Sequence, residues 1–140
     1  MINKVKNALK VKLENLYPNY NIYLEDKPIS EIVKPALRIK VEEKTAYNQR
    51  DIIKQNVKLD IVGYLDDSNK NEKYWDISDK LDEELGYLEI ENTLIRIGER
   101  ISEITEDTLH YRFSIQLKTL KPKDAVDSII KGINKNVEFK

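Results

Sequence analysis

Apolar and polar positions along the chain follow two periods, and the change of period divides the sequence. Ile2, Val5, Leu9, Leu13, Leu16 and Tyr17 recur every three or four residues, which is one stripe of an amphipathic helix. Pro18 and Asn19 stop it. From Asn21 to Glu25 the chain alternates, with Ile22 and Leu24 on one side and Tyr23 on the other, as in a short strand. Lys27-Pro28 and Lys34-Pro35 bracket a connection, because proline cannot donate to a ladder and restricts the residue before it. From Ala36 the period is two: Leu37, Ile39 and Val41 face away from Arg38, Lys40 and Glu42. A polar stretch from Lys44 to Arg50 separates this run from Val57, Leu59 and Ile61, which oppose Lys58, Asp60 and Val62. The two runs predict an antiparallel hairpin with one buried face.

Asp66 to Asn69 is a loop with helix-starting residues. Tyr74, Ile77, Leu81, Leu85 and Leu88 form a second helical stripe, Asp76 and Lys80 stand at the i,i+4 spacing, and Gly86 marks the end. Ile95, Ile97 and Ile101 share a parity that Ile104 breaks, which together with Gly98 predicts a bulge or twist. Asp107-Thr108 is the expected turn into Leu109, Tyr111, Phe113, Ile115 and Leu117, the most regular alternation in the sequence. After Pro122, Val126, Ile129, Ile130 and Ile133 return to helical spacing. The expected fold is α+β: a largely antiparallel sheet of about five strands in the order α-β-β-β-α-β-β, helices packed on one face, and a short C-terminal helix. Residues 1–120 form the domain, and 121–140 are an extension of it.

Composition narrows what such a domain does. A chain of 140 residues buries roughly 68% of its unfolded surface and can hold a core without staples. There is no Cys, so a disulfide framework and Cys-based zinc sites are excluded. With 24 basic and 25 acidic residues the net charge is −1, without the basic surplus that specific nucleic-acid binding draws on. Lysines interrupt the N-terminal stripe and no apolar run reaches the ~20 residues of a membrane span, so the expected location is the cytoplasm.

Residues that do chemistry are scarce. The only His is His110, read as a surface residue on the polar side of its strand beside Arg112. Asp66 to Asn69 resembles the start of a Ca²⁺ loop, but Asn71 and Ile77 stand where Gly and Glu are needed. Trp75 fits a core or helix-flank position. A Mg²⁺-dependent nuclease alternative rests on Glu25 or Asp26 with Glu42 and Lys44; a monomeric adaptor is another. Neither a catalytic nor a metal nor a cofactor site is expected. The tip of the first hairpin carries Tyr47 and Arg50, and Arg96, Arg100 and Arg112 lie on the expected polar side of the second. A guanidinium fork pairs with carboxylates across a boundary, so these five are candidate subunit or partner contacts.

The stretch Tyr17 to Asp26, the Pro-led strand Pro35 to Val41, the strand Val57 to Tyr64 ending in Asp66-Asp67, and Leu109 to Phe113 resemble the small tail terminator proteins of phages. They are most similar to those of contractile-tail prophages and phage-tail-like bacteriocins, over residues 1 to about 120. The resemblance implies a structural subunit without enzymatic activity or cofactor. Copies would close into a ring, a hexamer, on the head-proximal end of the tail tube. The implied partners are itself, the tail tube protein, the sheath protein and a neck or head-completion protein, with no membrane. The finished protein would be part of the virion or tail-like particle.

Overall fold

The computed structural model describes residues 1–121. These residues fall into two units, 1–45 with 56–117, and 46–55 with 118–121. The helix expected at Val126 to Ile133 lies outside the described residues.

In the first unit, helix α1 (Ile2–Leu16) buries Val5, Leu9 and Leu13, the predicted stripe. It ends where the Tyr17 N–H bonds the Leu13 carbonyl and Pro18 follows. Strand β1 (Asn21–Leu24) pairs with β2 (Ala36–Gln49) in parallel, with Ile22 opposite Leu37 and Leu24 opposite Ile39. A parallel neighbour needs a crossover, and residues 25–35 with the short 3₁₀ turn Ile29–Glu31 provide it. Strand β3 (Ile52–Tyr64) leads into helix α2 (Lys70–Glu84). Strands β4 (Tyr87–Ile90) and β5 (Thr93–Arg96) form a separate antiparallel pair. Strands β6 (Arg100–Thr105) and β7 (Thr108–Leu120) complete a five-stranded sheet in the order β1-β2-β3-β7-β6.

The fold is therefore α+β, with two helices on one face of a mixed, mostly antiparallel sheet, plus a hairpin. Val5, Leu9 and Leu13 of α1 and Tyr74, Ile77 and Leu81 of α2 join one cluster with Leu37, Ile39, Leu59, Ile61 and the inward side chains of β7. The other sheet face carries a small second cluster, Ala36, Val62 and Tyr64, against which Tyr23 and Ile32 pack. Glu25 fastens the crossover: its carboxylate accepts from the Val41 N–H at 2.9 Å and from Lys6 at 2.8 Å. Burial pushes the Glu25 carboxyl up, but Lys6, the Val41 amide and Arg38 outweigh it and hold it below the usual carboxylate range.

Several expectations are corrected. The polar stretch Lys44 to Gln49 is strand, because a ladder of backbone bonds needs no apolar side chain; the turn is Arg50-Asp51. The described strands number seven, since Tyr87 to Arg96 turns back on itself at Glu91-Asn92. Leu88 belongs to that hairpin and not to α2. Gly86 does mark the end of α2, directly after the Leu85 cap, though without a positive φ, and its carbonyl accepts the Ile97 N–H. Residues 97–99 leave the sheet, so side-chain parity restarts at Arg100. Ile104 then faces the core and Ile101 is 57% exposed, the reverse of the expected pairing. The second turn is Glu106-Asp107, both residues at positive φ. Lys80 does not serve Asp76; it donates to the Leu16 carbonyl and sits over the Tyr17 ring.

Candidate interaction surface

The sheet face away from the helices carries a polar network built from four strands. Alternation sends Lys58 and Asp60 of β3, His110 and Arg112 of β7, and Ile101 and Glu103 of β6 to this side. Arg112 is its hub. Its Nη1 donates to Glu103 at 2.9 Å, and its Nε lies 3.4 Å from Glu42 of β2 and 3.7 Å from Asp60. The hydrogen bond from Arg112 holds the Glu103 carboxyl below its ordinary range and raises the guanidinium in turn. Asp60 is 1% exposed, and its Oδ2 is 2.7 Å from His110 Nδ1. Burial pushes its carboxyl up, while His110 and Arg112 pull it back part of the way.

Beside this network runs a groove of about 340 Å³ lined by Glu42, Lys58, Glu99, Ile101, Arg112 and Ser114. A neighbouring one of about 380 Å³ lies among Glu43, Thr45, Asn56, Lys58 and Ser114. The first also takes in Leu59 and Phe113, so its lining mixes charged with apolar side chains, whereas the second is lined by polar and charged ones.

A second exposed patch is apolar. In the β4–β5 hairpin, Leu88 faces the core opposite Ile95. The alternate positions put Tyr87 (57% exposed) and Leu94 (65% exposed) outward with Glu89 and Arg96. A two-stranded hairpin gains little stability alone, so large apolar side chains on its outer side point to a contact surface. Trp75 on α2 is also exposed, while its neighbour Tyr74 takes the core position.

The five sequence candidates separate. Arg96 is exposed on the outer side of β5 and Arg112 is the hub of the sheet face. Arg100 turns to the opposite side from the one expected, because the parity restart aims it at the end of α2; its Nη1 donates to the Leu85 carbonyl at 2.8 Å. Tyr47 and Arg50 lie in the second unit. Tyr47 is half exposed with Lys54 over its ring, and Arg50 occupies the turn at φ 56°.

His110 is not a free surface histidine but half of a bonded pair with a buried acid. Asp60 was missed, although a signal existed: it opens the run Ile61-Val62-Gly63-Tyr64, and a strand apolar on both parities is buried on both faces. The carboxylates of the nuclease alternative do not converge. Glu25 turns to Lys6 of α1 on the helix side, and Glu42 turns to Arg112 on the other. Among the described residues no three acidic or imidazole side chains gather as metal ligands would. No helix among them is long and apolar enough to cross a membrane.

No curated protein matches the sequence. One solved structure, whose name states no function, aligns over 87% of this chain and 96% of its own length, with 10% identity and a TM-score of 0.47. A family model described as "Phage tail terminator protein" matches residues 4–127, which takes in α1 from its third residue, α2, the seven described strands and the network around Arg112. With that match covering most of its length, the chain belongs to the phage tail terminator proteins, a family of structural tail proteins.

Proposed function

We propose that copies of this chain close into a ring, a hexamer, on the head-proximal end of the tail tube. The ring ends tube polymerisation and, in a contractile tail, sheath polymerisation as well. Its outer side offers the attachment surface for a neck or head-completion protein. Assembly takes place in the host cytoplasm, and the ring then stays in the phage virion or tail-like particle. Residues 1–120 are the terminator domain and 121–140 its C-terminal extension.

The observation that carries this reading is the presence of two unlike exposed patches within one family-matched unit. One is the polar sheet face centred on Arg112; the other is the apolar outer side of β4–β5 with Tyr87 and Leu94. A ring requires that one patch meet a different patch on the next copy, and each contact should bury upwards of ~1,000 Å². The near-neutral balance of 24 basic and 25 acidic residues allows close self-association without net repulsion. Arg96 and Arg112 are the proposed ionic contacts of the first unit, with Arg100 behind them supporting the end of α2. Tyr47 and Arg50 are proposed contacts of the second.

Light scattering over a range of concentrations should give a mass near six subunits, and negative-stain microscopy should show rings. A mass that stays at one subunit, alone and with tail tube protein added, would sink the proposal. Arg96→Glu should lower the ring fraction at a given concentration by about tenfold or more. Exposed changes of this kind leave the unfolding midpoint within about 0.5 kcal/mol of the parent, so a loss of rings with unchanged stability would assign Arg96 to the interface.

A further inference from the structure

We propose that the end of the β2–β3 hairpin docks on the exposed face of α2 of another copy, through charges of opposite sign and through Trp75. The inference rests on the reading that copies associate, and it names what Tyr47 and Arg50 would meet.

The exposed face of α2 is built at the helix's own expense. Glu72, Asp76, Asp79 and Glu83 recur every three or four residues, and all four are exposed. Like charges at that spacing stand in one row and repel. The lysines of the same helix do not relieve the row. Lys70 pairs with Asp107, Lys73 pairs with Asp67, and Lys80 donates to the Leu16 carbonyl. Among the described residues none of the four acids has a cationic partner. Glu83 and Glu84 also occupy the last turn, which holds no basic residue, although the helix dipole favours cations there. Trp75 stands one turn from both Glu72 and Asp79 and is half exposed. An indole kept in water within a row of unpaired carboxylates fits a partner that brings cations and apolar surface together.

The chain itself carries such a partner, because its near-zero net charge hides a segregation. Residues 46–55 and 118–121, tied by the Lys121 N–H to the Asp51 carbonyl, hold Arg50, Lys54, Lys118 and Lys121 against Asp51 alone. None of these four cations has an ion pair among the described residues. Tyr47 is half exposed and Leu120 is exposed in the same unit. Lys54 lies 6.0 Å from the centre of the Tyr47 ring, so cation and aromatic surface already stand side by side. Arg50 occupies the turn itself, and its planar fork suits a carboxylate row. Because the two surfaces differ, each copy gives its hairpin end to one neighbour and its α2 face to another. Cations beside an aromatic also suit phosphate; the matching row on α2 of the same chain favours a second copy.

Trp75 is the only tryptophan, so its fluorescence in the full chain reports this contact. Its emission should move to shorter wavelength as copies associate and return as sodium chloride screens the charges. Identical emission from single and associated copies would overturn the proposal. Two double variants test the charges. Asp76→Lys with Asp79→Lys makes the α2 face basic, and Arg50→Glu with Lys54→Glu makes the hairpin end acidic. Each variant alone should self-associate at least about tenfold more weakly than the parent. An equimolar mixture should recover the parent's association, since each supplies the surface that the other lacks. Parent-like association of either variant alone, or a mixture as weak as its components, would sink the contact. So would a hairpin variant that loses affinity for a short mixed-sequence DNA duplex while still associating like the parent, which would assign the hairpin end to phosphate. A parent that stays at one subunit removes the ring and this contact together; a parent that associates while both variants do the same removes this contact alone. If a variant does not fold, the Trp75 emission of the parent decides.

Discussion

Tyr74→Ala should lower folding stability by about 3–5 kcal/mol, enough to remove much of the margin of a domain of this size. The side chain is fully buried in the core beneath the sheet. Its hydroxyl also joins three separate elements: it accepts from the Leu65 N–H at 2.9 Å, just beyond β3, and donates to the Asp107 carbonyl at 2.8 Å, in the β6–β7 turn. Burial pushes the phenol up, so it keeps the hydrogen that it donates. Truncation opens a cavity and orphans both backbone groups. Tyr74→Phe isolates the second effect and should cost about 1–3 kcal/mol, the penalty of a buried polar group left unpaired. Urea unfolding followed by circular dichroism would check both. If Tyr74→Phe matches the parent while Tyr74→Ala does not, packing alone accounts for the residue and its hydroxyl contacts contribute nothing measurable.

Gly63→Leu should cost about 3 kcal/mol through overpacking, whereas Gly63→Ala should stay within about 1 kcal/mol of the parent or gain slightly by restricting the unfolded chain. A Cβ placed at Gly63 would lie 3.4 Å from Leu109 Cβ, 3.4 Å from Tyr74 Cε1 and 3.5 Å from Leu37 Cδ2. Those are ordinary contact distances, so one methyl fits and the next atoms outward do not. The backbone there does not use positive φ, so the contrast between the two variants reports space and not strain. Thermal unfolding would show Gly63→Leu with a midpoint lower by roughly 10 °C, at about 3 °C per kcal/mol for a chain of this length. Two variants of equal stability would mean that α2 moves away from the sheet to admit the larger side chain.

The sheet face around Arg112 has its own expected result. Arg112→Glu would place a fourth carboxylate beside Glu42, Glu103 and Asp60, and should destabilise the chain more at low salt than at high salt, because the repulsion between the exposed carboxylates is screened. Arg112→Gln, which keeps donors but no charge, should lie between that variant and the parent. Denaturant midpoints at two ionic strengths would check the order.

The local periods in the sequence carried the helices, the buried sides of β2, β3 and β7, and the family resemblance. These depend on side-chain direction within one element, and direction is fixed by counting along the chain. Leu9 faces the core because Val5 and Leu13 do, and Tyr111 because Leu109 and Phe113 do. Counting fails once the chain leaves the sheet. Residues 97–99 reset parity, and with it the sides of Arg100, Ile101 and Ile104. The parallel pairing of β1 with β2 is likewise not local, since the crossover that permits it has no period of its own. His110 and Asp60 stand fifty positions apart, and nothing in either strand names the other as its partner. Only the antiparallel approach of β7 to β3 brings an imidazole to a carboxylate from which water is excluded, and burial makes that contact chemical instead of incidental.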